Sequence, residues 1–186
     1  MKILCYGDSN TLGFDPRSFF GDLYERPWPV ILSEHPALQV RIDAACGREI
    51  PKGRIAFPPD AELLILMLGT NALLQGADAE EINRRMDLFL STVSGPEVLL
   101  LAPPPLRRGE WVSDEILIAR SFRLAEEYRL LARKMDIRFL DSGEWNIPLV
   151  FDGVHFTEEG HRRFAENLME DIFRLFPNLE SKEDST

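Results

Sequence analysis

The sequence predicts a three-layer α/β/α sandwich around a five-stranded parallel sheet. Three features predict it. Five runs of strand length alternate with longer segments of helical period. One run, Glu62–Leu68 (ELLILML), is apolar on both faces, as a central parallel strand covered on either side must be. The alternation runs through the chain of 186 residues with no internal repeat, low-complexity linker or composition break. One domain over residues 1–179 is therefore the simplest arrangement, with residues 180–186 (ESKEDST) as a frayed tail.

Each element has its own signal. Lys2–Tyr6 (KILCY) is the first strand, followed by a turn region rich in Gly, Asp and Pro up to Pro29. Trp28–His35 is a short helix and Leu38–Ala44 a second strand; Glu62–Leu68 is the third. Asp78–Val93 is a helix: Asp78 and Glu81 have capping-box spacing, and Ile82, Met86, Phe89 and Val93 form one stripe. Glu97–Ala102 is strand four, stopped by three prolines. Asp114–Met135 is a long helix with Leu117, Leu124, Tyr128, Leu131 and Met135 on one face. Ile137–Leu140 is strand five. Thr157 caps a last helix running to Phe176, with Phe164, Leu168 and Ile172 inward. Right-handed crossovers between five parallel strands favour the flavodoxin-like order 2-1-3-4-5.

Composition narrows the function classes. Lys and Arg total 21 against 31 Asp and Glu, a net charge of −10. That balance opposes binding to nucleic acid or to an anionic membrane surface. Two cysteines, Cys5 and Cys46, cannot build a disulfide framework. Cys5, in an apolar run, reads as a buried thiol, and a single bridge between the two stays open. No apolar stretch reaches the ~18 residues of a membrane span. The opening MKILCYGDSN turns polar too soon for a secretory signal, so the expected location is cytoplasmic. There is no GxxxxGK[ST] loop and no GxGxxG, and His35, His155 and His161 lack metal-site spacing. No cofactor and no metal are expected.

In an open parallel sheet, ligands bind beyond the carboxyl ends of the strands. Gly7, Asp8, Ser9 and Asn10 follow strand one; Cys46 and Gly47 follow strand two; Gly69, Thr70 and Asn71 follow strand three. With strands ~4.8 Å apart, the order 2-1-3 flanks Ser9 with Gly47 and Asn71. The backbone N–H groups of Ser9 and Gly47 and the Asn71 amide would then hold an oxyanion formed when Ser9 attacks a carbonyl. Of the three histidines, His155 lies in the loop after strand five, with Asp152 three residues before it. One turn brings that carboxylate to one ring nitrogen and leaves the other for Ser9, the logic of nucleophile, base and orienting acid. The segment from Asp141 to His155 is long enough to cross the roughly 14 Å between strands five and one.

Gly7-Asp8-Ser9-Asn10, Gly47, Gly69-Thr70-Asn71 and Asp152-Gly153-Val154-His155 arrive in the order of the SGNH/GDSL hydrolase superfamily, which the chain resembles from residue 7 to residue 155. The flanks ILCYGDSNTLGFDPR, LLILMLGTN, LLLAPPPL and DGVHFTEEGH resemble its arylesterase/acyltransferase branch. The resemblance implies esterase-type acyl transfer with Ser9 as nucleophile, His155 as base and Asp152 as its partner. It also implies an oxyanion hole of Ser9, Gly47 and Asn71, and raises the expectation of a homo-oligomer. Three departures stand out: Ala72 where the family has Asp, Cys46 where the branch has Asn, and a shorter segment from Gly47 to Glu62.

The expected activity is hydrolysis of short-chain carboxylic esters, of acetyl-sugar or aryl type, through an acyl-enzyme. The substrate is a small-molecule ester. A thioesterase or lysophospholipase of the same family is an alternative. So is a catalytically weak module binding an acylated ligand, a reading motivated by Ala72. Other readings of single residues stay beside these. Ser9 also suits a helix N-cap, Asn71 and Gly47 suit turns, and Asp141 is an alternative acid. His161 suits a helix face, and Trp28, Phe57 and Trp111 suit either an acyl pocket or ordinary packing.

Overall fold

Side-chain alternation along the strands decides the layering. In β1 (Lys2–Gly7), Ile3 and Cys5 enter one core while Leu4 and Tyr6 enter the other. In β3 (Leu63–Met67), Leu63, Ile65 and Met67 join the first and Leu64 and Leu66 the second, and all five are buried. The first core is closed by α2 (Trp28–Ser33) and α6 (Glu158–Leu175). The second is closed by α3 (Thr70–Leu74), α4 (Ala79–Leu90) and α5 (Glu115–Met135). With β4 (Glu97–Ala102) inside and β2 (Gln39–Ala44) and β5 (Arg138–Asp141) at the edges, all pairs are parallel in the order β2-β1-β3-β4-β5. This is the expected sandwich and strand order. The computed structural model describes residues 1–177 and 179, and the expected C-terminal tail lies outside the described residues.

The long elements begin where their caps predict. Asp78 accepts from the Glu81 N–H at 2.7 Å and Thr157 Oγ1 accepts from the Gly160 N–H at 2.9 Å. Asp114 accepts from the Ile116 N–H at 2.8 Å and opens α5. Short elements differ from expectation. A single turn, α1 (Ser9–Leu12), follows β1 and is capped by Asp8, not by Ser9. The short helix α3 and a 3-10 turn at Ser142–Trp145 were not expected, and α2 stops at Ser33 rather than His35. Elements of four or five residues span barely one helical period, so periodicity cannot announce them.

Two features of this frame position the loops that matter. Gly7 at the end of β1 lies in register with Ala44 of β2 and Met67 of β3, so three loops leave the sheet side by side. Gly69, at φ 126, opens the third of these loops. A Cβ there would meet Leu124 Cδ2 at 2.8 Å and Tyr128 Oη at 3.0 Å, and Tyr128 Oη donates to the Leu68 carbonyl at 3.1 Å. The missing side chain lets α5 seat directly against the turn that carries Asn71. Gly69→Ala is expected to destabilise the protein by about 1–3 kcal/mol or more in urea unfolding. A change under about 0.5 kcal/mol would show that this contact is not needed.

Candidate active site

Ser9 occupies the first position of α1, directly after β1. The Asp8 carboxylate accepts from the Asn10 N–H at 3.1 Å and starts the turn. Ser9 is 7% exposed, so its hydroxyl needs a partner, and Ser9 Oγ lies 3.0 Å from His155 Nε2. His155 Nδ1 lies 2.6 Å from Asp152 Oδ2. Asp152 Oδ1 accepts from the N–H groups of Val154 at 2.8 Å and His155 at 3.0 Å. One carboxylate thus folds its own loop and orients the ring within it.

That loop is braced from two sides. The Val150 N–H donates to the His155 carbonyl at 2.8 Å, closing the loop on itself. Segment 107–111 lies against its back: the Arg107 N–H donates to Gly153 O at 3.0 Å and the Trp111 N–H to Asp152 O at 3.2 Å. Gly153 has φ 82, and a Cβ there would sit 2.0 Å from the Arg107 carbonyl oxygen, so only glycine permits the approach. In front, the carboxamide of Asn10 donates to Val154 O at 3.1 Å and accepts from the Phe156 N–H at 3.0 Å. Two aromatic rings flank the imidazole, Phe14 with ring centroids 5.1 Å apart and Trp111 at 5.3 Å.

The second and third strand-end loops are joined to each other. Asn71 Nδ2 donates to the Arg48 carbonyl at 3.0 Å. The Arg48 guanidinium pairs with Asp43 at 2.7 Å and lies 4.3 Å from the centre of the Tyr6 ring, which fixes the turn containing Gly47. Gly47 is exposed at φ 71, with nothing within 4 Å of where a side chain would begin. Ala72 is buried in the core, so the residue after Asn71 serves packing while Arg48 anchors the amide.

Burial sorts the titratable groups. Burial pushes Asp152 up, but the hydrogen bonds from the His155 ring and from two backbone N–H groups outweigh it and hold it below the usual carboxylate range. Asp8 is also buried, and burial prevails there: its carboxyl is pushed up to about 6 against the pull of the Asn10 N–H. His161 is pushed down to about 3, by burial and then by the charge of His155. Its Nδ1 accepts from the Trp28 N–H at 3.4 Å, so it is a neutral core ring, as its helix position suggested. Asp141 is committed elsewhere, to Arg129 at 2.9 Å and the Gly143 N–H at 3.0 Å. Cys5 and Cys46 are free thiols, and the bridge left open between them is not formed. Trp28 and Phe57 belong to the two cores, so of the three aromatic candidates Trp111 alone borders His155. Among the described residues, no three His, Cys, Asp or Glu side chains cluster so as to hold a metal ion, and no helix is long and apolar enough to cross a membrane.

The model of the GDSL-like lipase/acylhydrolase family matches residues 5–163, a span that includes Ser9, Asp152 and His155. The chain belongs to this family. Its activity is that of a carboxylic ester hydrolase. Among solved structures it is similar to the native aryl esterase of M. smegmatis, at 25% identity and TM-score 0.80, covering 94% of this chain and 99% of that one. It shares the fold of a carbohydrate acetylesterase family member from Sinorhizobium meliloti, at 24% identity and TM-score 0.79 over 95% and 99%. It also shares the fold of a lipolytic G-D-S-L family protein from Veillonella parvula, at 21% identity and TM-score 0.71 over 91% and 97%. No curated protein sequence matches significantly.

Phe14 and Arg48 were not singled out from the sequence, and Asn10 was placed in the motif beside Ser9 without a role of its own. Asn10 had a local signal, its place beside Ser9 in a strand-end loop. Its partners lie 144 and 146 residues away, beyond the reach of any spacing rule.

The Asp8 shift has a consequence for stability. Between about pH 4 and pH 6 the unfolded chain releases a proton that folded Asp8 keeps, so Asp8 lowers stability as pH rises through that window. The loss is on the order of 3 kcal/mol once both states are ionised. Asp8→Asn retains a good N-cap and removes the titration. In urea unfolding, Asp8→Asn is expected to gain on the wild type steadily from pH 4 to 7. Parallel curves would contradict the assignment.

Proposed function

We propose that Ser9, His155 and Asp152 act as nucleophile, general base and orienting acid in the hydrolysis of short-chain carboxylic esters. The observation that carries this reading is the unbroken relay from Ser9 Oγ to His155 Nε2 at 3.0 Å and from His155 Nδ1 to Asp152 Oδ2 at 2.6 Å. Asp152, ionised, accepts a hydrogen bond from Nδ1–H, which leaves Nε2 as the acceptor facing Ser9. His155 takes the Ser9 proton as Oγ attacks the acyl carbon. The oxyanion that forms is held by the N–H groups of Ser9 and Gly47 and by the Asn71 amide, each such donor worth ~3 kcal/mol of barrier. Asn71 uses one Nδ2 proton on Arg48 and keeps the second for this purpose. Collapse of the intermediate breaks the bond to the leaving alcohol, which takes the proton from Nε2. Water then repeats the sequence on the acyl-enzyme and restores Ser9.

The leaving group we infer is flat or cyclic, an aryl or an acetylated sugar alcohol. Trp111 supports this: the residue is 53% exposed, its ring lies beside the imidazole, and its backbone is tied to Asp152. A rigid, exposed aromatic face at a reaction centre suits a ring stacked upon it. The aryl esterase of M. smegmatis, with which the chain aligns over nearly its whole length, agrees with that choice. The buried Ala72 gives no support to a weakened site, because the Asn71 amide is anchored through Arg48. Thioester and lysolipid substrates remain comparators for a substrate panel.

Ser9→Ala is expected to abolish p-nitrophenyl acetate hydrolysis without altering the circular dichroism spectrum; undiminished turnover would refute the nucleophile. Wild-type kcat/KM should fall on acidification, because a protonated imidazole cannot accept the Ser9 proton, and a pH-independent kcat/KM would count against a histidine base. Trp111→Ala should raise KM for aryl acetates more than for ethyl acetate. An equal effect on both would remove the indole from leaving-group recognition.

A further inference from the structure

We propose that Asn10 is a positioning residue whose carboxamide, by gripping the backbone on both sides of His155, sets the distance between Ser9 Oγ and His155 Nε2. The inference rests on the assignment of Ser9 and His155 above.

Asn10 Nδ2 donates to the carbonyl of Val154 at 3.1 Å, and Asn10 Oδ1 accepts from the N–H of Phe156 at 3.0 Å. His155 lies between those two residues. Its own backbone is already spent, the N–H on Asp152 and the carbonyl on the Val150 N–H. Asn10 is 3% exposed, so water does not readily replace either bond. On its other side Asn10 follows Ser9 within the one turn of α1. The segment carrying the nucleophile is thus tied to the segment carrying the base by a side chain adjacent to one and bracketing the other.

A side-chain amide suits the task because it holds a donor and an acceptor on one planar group. Asp accepts but does not donate when ionised, and Ala does neither. The Asp152–His155 pair is a different kind of contact, made within the loop by residues three apart and supported by the loop's own N–H groups. Loss of the Asn10 grip should therefore separate Ser9 from His155 while leaving His155 paired with Asp152. A displacement of about 1 Å at a reacting pair can cost ~10²-fold in rate.

The test compares the full-length wild type with Asn10→Ala and Asn10→Asp. Each is measured for kcat and KM on p-nitrophenyl acetate at the alkaline plateau, for thermal midpoint, and for the low-field proton resonance of the His155–Asp152 hydrogen bond. For Asn10→Ala the expected result is a kcat loss of ~10²-fold with KM unchanged and the low-field resonance retained. Asn10→Asp, nearly isosteric, keeps the acceptor for Phe156, loses the donor to Val154, and should also lose kcat at constant KM. It carries the test if the alanine variant does not fold. Wild-type kcat in either folded variant would overturn the proposal. Loss of kcat, resonance and thermal midpoint together, or failure of both variants to fold, would also overturn it by making Asn10 a scaffold residue only. Turnover surviving in Ser9→Ala would instead sink the underlying site assignment, whatever Asn10 does.

Discussion

The site depends on one contact, the 3.0 Å approach of Ser9 Oγ to His155 Nε2, between residues 146 positions apart. Nothing local brings them together. The parallel register that aligns Gly7 with Ala44 and Met67 places Ser9 at the middle of the sheet's carboxyl edge. The loop beyond β5 must then cross toward it. That loop is held by its own Asp152 turn, by the 107–111 segment behind it and by Asn10 in front. The two hydrophobic cores supply the rigid frame. The polar bonds set where the His155 ring sits within that frame.

Two carboxylates meet opposite fates, set by how fully burial strips each of water and by the donors that offset it. Asp152 receives two backbone N–H groups and an imidazole, enough to keep it ionised despite burial. Asp8 accepts from the Asn10 N–H, and burial prevails. The first carboxylate is equipped to stabilise positive charge on the ring beside it. The second is a helix cap held at a cost in stability, in a position where the chain must turn sharply out of β1.

Much of this was legible in the sequence. The sheet order followed from strand count, apolar runs and crossover handedness, and each long helix was announced by an apolar stripe, α4 and α6 by a capping residue as well. Ser9, Asp152 and His155 were legible because strand-end placement and a three-residue spacing restrict where such groups meet. What was not legible has a common physical reason. The Asn10 grip and the Arg48 anchor for Asn71 join a side chain to backbone atoms of a distant segment, and backbone atoms carry no sequence identity. Phe14 was given no role, and Trp111 suited an acyl pocket or ordinary packing alike, until the fold set both against one imidazole. The one-turn helices α1 and α3 fell below the length at which periodicity exists.

The central claim is that the Ser9 hydroxyl is activated by His155. The most direct measurement is peptide mapping by mass spectrometry after treatment with a fluorophosphonate, run on the wild type and on His155→Ala. The account predicts a single stoichiometric adduct on Ser9 in the wild type and almost none in the variant. An adduct on a different residue, or equal labelling of Ser9 without the imidazole, would contradict it.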